Sequence, residues 1–151
     1  MTHVGLRGCA NEMMRNHEAA ECIMRDDPQM RTMHSIIIID ESGSMRTCDV
    51  DCFHSQSDAG YGTLALDYIA KQLYHMGDEL SVDAVTIIEM NDAGSIFVQK
   101  EPLDWILFHH MSTAKPRSHG NYVESLELAE EFIQQDHAIL DDLEAMTLQC
   151  S

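Results

Sequence analysis

The residues best suited to chemistry are Asp40, Ser42 and Ser44, which follow an aliphatic run in Ile36-Ile37-Ile38-Ile39-Asp40-Glu41-Ser42-Gly43-Ser44-Met45. A hard divalent cation takes oxygen ligands, and Mg²⁺ takes them at near-octahedral angles. Asp40 offers a charged oxygen where the run ends. Ser42 and Ser44 offer short neutral hydroxyls, and Gly43 permits the bend between them. Hydroxyls in place of carboxylates leave the ion electron-poor and able to accept a further carboxylate. An EF-hand loop is the nearest rival, because Asp40, Ser42, Ser44 and Asp51 have the spacing of four of its oxygen-ligand positions. Met45 stands where that loop needs Gly. The segment from Cys48 to His54 has half the residues of a zinc site, and no second Cys/His pair matches it. Ser42 as a nucleophile would need a histidine, and no motif links one to it.

These residues need a frame, and the hydrophobic pattern supplies one. Met13, His17, Ala20 and Met24 have weak helical spacing, broken at Asp26-Asp27-Pro28, so residues 1–33 read as a helical lead-in. The four isoleucines suit a strand buried on both faces. Residues 46–62 are polar and read as a long loop. Leu66, Ile69, Leu73 and Met76 predict a helix ended by Gly77. Ala84–Ile88 and Ile96–Val98 predict two strands joined by the turn Asn91-Asp92-Ala93-Gly94, an antiparallel hairpin. Pro102 to Met111 predicts a short helix. Tyr122, Leu126, Ala129 and Ile133 predict the apolar face of a long helix that runs on through Leu140 and Leu143, with Glu124, Glu127, Glu130 and Glu131 on its solvated face. Strands alternating with helices indicate an α/β layered fold with a mainly parallel sheet. Such folds place ligands at the carboxyl ends of their strands, where Asp40 falls.

The segment from Ile36 to Met45 resembles the Asp-x-Ser-x-Ser signature of the von Willebrand factor A (vWA) domain family, including the Gly between the serines. Asp83 to Asp92 is similar to that family's second strand and turn, and Ser118 to Leu126 to its second metal-site loop and following helix. The resemblance spans roughly residues 34 to 135. It implies a Rossmann-like three-layer α/β fold over residues 34–151. It also implies a metal-ion-dependent adhesion site (MIDAS) in which Asp40, Ser42, Ser44 and Ser118 hold Mg²⁺ or Mn²⁺, with Thr113 and Asn121 as alternatives to Ser118, and with Glu41 and Asn121 facing the captured ligand. The implied partner is a protein that offers a carboxylate.

The sequence departs from the family in two places. Gly120 stands where the second loop has a Thr, and no aspartate matches the family's later acidic ligand, so the expected site is degenerate and the expected domain partial. A sheet that stops here leaves Ile36–Ile39 at an edge, where pairing between two copies is a hazard. The alternative reading is therefore a metal-free structural domain that forms a homodimer through that edge, and a metal-dependent hydrolase stands third.

With 9 Lys and Arg against 26 Asp and Glu, the formal charge is −17. Such a surface repels nucleic-acid phosphates and anionic membranes. There is no membrane-length apolar stretch and no signal-peptide core, so the expected compartment is the cytoplasm. Five cysteines, an odd number, are expected to stay reduced there.

Overall fold

A computed structural model describes residues 3–27, 33–40, 63–76, 82–111 and 120–149. The elements are α1 (His3–Asp26), β1 (His34–Asp40), α2 (Thr63–Met76), β2 (Ala84–Met90), β3 (Ser95–Pro102), α3 (Trp105–Met111) and α4 (Tyr122–Gln149). The fold is α/β. The expected elements are all present among these residues, with β3 longer than the three residues expected and α3 starting later.

The described sheet has the order β1-β2-β3. β1 and β2 are parallel, with His34 opposite Ala84 and Asp40 opposite Met90. β3 runs antiparallel to β2. The sheet is thus mixed and not mainly parallel. The short turn after β2 sends the chain straight back, which only an antiparallel pair permits.

Alternation along the strands divides the core in two. Ile37 and Ile39 of β1, Val85 and Ile87 of β2 and Val98 of β3 pack with Ile69 and Leu73 of α2 and with Leu107 and Met111 of α3. Tyr74 of α2 meets Trp105 of α3 edge-to-face at 5.5 Å, which extends this layer. On the opposite face, Ile36 and Ile38 join Ile88 against Leu128, Ala129 and Phe132 of α4. Each isoleucine of the β1 run therefore faces a helix layer, as a strand covered on both faces requires.

α1 packs against α3 and β3, at the side of the sheet away from β1. Its anchor is His17, whose Nδ1 lies 2.8 Å from Asp104 Oδ2. Asp104 also caps α3, because its Oδ1 accepts the N–H groups of Ile106 and Leu107 at 2.9 and 3.0 Å.

α4 departs from the predicted face. Ser125, Ala129 and Phe132 are buried, whereas Tyr122, Leu126, Ile133 and Leu140 are 49–65% exposed. The apolar spacing locates the helix correctly, but the face on the sheet is turned away from Tyr122, Leu126, Ile133 and Leu140. Small residues let α4 come close to β2, and the polar Asp136 is needed on that face, as described below.

Candidate functional site

Three segments meet at the carboxyl end of the parallel pair. Asp40 is the last residue of β1, level with Met90. The turn after β2 is built by Asn91, whose Oδ1 accepts the Ala93 N–H at 3.2 Å and whose Nδ2 donates to Ser95 Oγ at 2.6 Å. Ser95 Oγ in turn donates to Glu89 Oε2 at 3.4 Å, and Glu89 is a buried carboxylate. The segment before α4 arrives at the same end, where the Asn121 N–H donates to the Asn91 carbonyl at 3.0 Å.

Gly94 makes this junction possible. Its φ is +64°, and a Cβ there would lie 3.2 Å from the Ser125 nitrogen and 3.3 Å from Ser125 Oγ. Glycine takes this backbone angle without strain, and any Cβ would require α4 to give way by a few tenths of an ångström. Asn121 caps α4 through its Oδ1, which accepts the Val123 N–H at 3.3 Å. Ser125, fully buried, donates its hydroxyl to the Asn121 carbonyl at 3.2 Å. Next to it, Glu124 Oε2 is buried and has no hydrogen-bond partner among the described residues. An orphaned carboxylate oxygen is costly and calls for a counter-charge.

Of the residues expected to form the metal and ligand site, Asp40 and Asn121 lie at this end of the sheet. Glu41, Ser42, Ser44 and Ser118, with the bend at Gly43 and the Cys48–His54 segment, lie outside the described residues. Among the described residues, no group of three His, Cys, Asp or Glu side chains forms a metal centre.

The opposite end of the sheet holds a polar relay that the sequence reading missed. His34 Nδ1 donates to Asp136 Oδ2 of α4. A carboxylate only accepts, so that nitrogen carries a proton, and Nε2 of the ring lies 2.8 Å from Thr86 Oγ1, within hydrogen-bond reach. Thr86 Oγ1 accepts the Lys100 N–H at 3.0 Å, and Lys100 Nζ returns to Asp136 Oδ1 at 2.9 Å. The β3 register slips between the partners of Val85 and Ile87, and Lys100 sits in that bulge with φ +53°. The Thr86 hydroxyl thus replaces the ladder partner that the bulge removes. Burial alone would raise the Asp136 pKa, but the hydrogen bonds and charges of His34 and Lys100 outweigh it and hold the carboxyl below its ordinary value.

Thr86, His34 and Asp136 stand in the order of a nucleophile, base and orienting acid. Thr86 has no exposed surface, so it meets no substrate where it lies, and the relay ties β1, β2, β3 and α4 together. The signal in the sequence was Thr86 itself, together with Glu89. Both interrupt an otherwise apolar buried strand, and a polar residue there must have a partner.

No family model and no curated protein matches the sequence. A solved structure of an uncharacterized membrane spanning protein from Vibrio fischeri is similar at 16% identity, with a TM-score of 0.49 over 69% of this chain. The chain spans 50% of the length of that structure. No described helix of this chain is long and apolar enough to cross a membrane.

Proposed function

We propose that the chain is a vWA-like domain that acts as a protein-interaction module, with Mg²⁺ or Mn²⁺ at the carboxyl end of its parallel strands. Asp40, Ser42 and Ser44 hold the ion, Ser118 contributes from the loop before α4, and Glu41 and Asn121 border the captured ligand. The ion supplies an electrophilic coordination position for a carboxylate of the partner protein. The supporting observation is the junction itself: Asp40, the turn after β2 and the start of α4 share one end of the sheet, as a ligand site at strand termini needs. The orphaned Oε2 of Glu124 at this junction suits a hard cation, which takes carboxylate oxygens.

The test is calorimetric titration with Mn²⁺. Binding is expected to be weak, since water must fill most of the shell. Asp40→Ala should weaken it at least about tenfold, because Asp40 is the charged ligand of the motif. Equal uptake by both proteins would reduce the signal to counterion attraction by a −17 surface. A second reading, a metal-free domain that pairs through β1, draws on one observation: among the described strands β1 is paired only on its β2 side.

A further inference from the structure

Four exposed apolar residues of α4 fall in one row along the helix, with the exposed His137 between the last two. Leu126, Ile133 and Leu140 are each seven positions apart, so the row drifts only about 20° per step around the helix. Tyr122 lies four positions before Leu126 and extends the row by a turn. The four are 65%, 58%, 49% and 58% exposed from Tyr122 to Leu140. They span about 27 Å at 1.5 Å per residue, about five turns of the helix. A row that repeats every seven residues keeps to one side of the helix, where a second helix can lie along it and supply the flanking apolar residues itself.

Charge decides what kind of helix. α4 contains no Lys or Arg, and the exposed acids Glu127, Glu130 and Asp141 border the row. A second copy of α4 in this position would add its own acids beside Glu127, Glu130 and Asp141 and would bring no Lys or Arg to offset them. A helix with Leu-like residues on one face and Lys or Arg beside them would meet both the apolar row and its acidic border.

We propose that the Tyr122–Leu126–Ile133–Leu140 face of α4 is the docking seam for a basic amphipathic helix of a partner protein. The seam begins beside the proposed cation site, at the residue after Asn121, and runs away from it along α4, so its occupant needs no metal.

The probe is a synthetic helical peptide with Leu at heptad a and d positions and Lys elsewhere, titrated into the full chain by fluorescence anisotropy. A scrambled peptide of the same composition, which has no apolar face, is the control. The heptad peptide should bind, more weakly as salt rises and equally well in EDTA. The scrambled peptide should bind at least about tenfold more weakly. Leu126→Gln with Ile133→Gln removes two exposed anchors and should cost about tenfold or more in affinity, while circular dichroism and the Mn²⁺ titration stay as in the wild type. Equal binding of the two peptides, or of the variant and the wild type, would overturn the proposal in favour of general attraction to an acidic surface. A wild-type dimer that the double substitution converts to a monomer would overturn it in favour of a second copy.

Discussion

Thr86, His34, Lys100 and Asp136 illustrate how much a buried strand can carry on one polar side chain. The hydroxyl of Thr86 serves a ring nitrogen and a bulged backbone N–H at once, and the lysine of that bulge closes the loop on Asp136. The lowered pKa of Asp136 has a definite consequence for stability. A depressed carboxylate contributes stability above the unfolded value of about 3.9, and the contribution is lost as pH falls through the lower folded value. Asp136→Asn should therefore destabilise the protein at neutral pH and flatten the acid limb of its stability profile, measured by urea denaturation from neutral pH downwards. An unchanged acid limb would show that other carboxylates dominate it. Gly94 permits a simpler test. Gly94→Ala should cost about 1–2 kcal/mol for the left-handed backbone alone, with more from the approach of Ser125. Thermal denaturation that left the variant within a few tenths of a kcal/mol of the wild type would show that the junction yields easily.

The strands were legible because their patterns are local. Four β-branched residues in a row can hardly be anything but a strand, and the Asn91-Asp92-Ala93-Gly94 turn dictates a hairpin. The facing of α4 was not legible, because spacing shows that residues share a side of a helix and not what lies beyond that side. Tyr122, Leu126 and Ile133 share one, and Ser125, Ala129 and Phe132 share the next, a quarter-turn or so away. The second face lies on the sheet because Asp136 belongs to it and must reach His34 and Lys100. The two faces should therefore respond very differently to truncation. Phe132→Ala should cost about 3 kcal/mol or more, and Leu126→Ala less than about 0.5 kcal/mol, in equilibrium denaturation. Equal costs would place Leu126 in the core after all. Of the candidate site, the strand-end aspartate was readable from its place after the isoleucines. Glu124 was not, because its spacing with Glu127 and Glu131 is that of any solvated helix face.

At the level of the whole molecule, two helix layers enclose a small mixed sheet whose β1 side has no described strand beside it. The covered faces of β1 do not protect its outer backbone groups, since side chains point to the layers and N–H and C=O groups point along the sheet. The long N-terminal helix does not lie there, as its anchor on Asp104 holds it on the β3 side. Self-association that grows with concentration is the expected outcome in light scattering across the micromolar range. A monomer throughout would show that the β1 side is not open to pairing. The His17–Asp104 tie has a further consequence, for the order of events during synthesis. The two residues are 87 positions apart, so α1 is made well before the aspartate that fastens it. At about 5–20 residues per second the interval is roughly 4–17 s. Through that interval Ala20 and Met24, which end up buried, have no surface to rest on. The nascent chain thus presents a methionine-bearing helix to its surroundings for seconds, and only the arrival of α3 withdraws it.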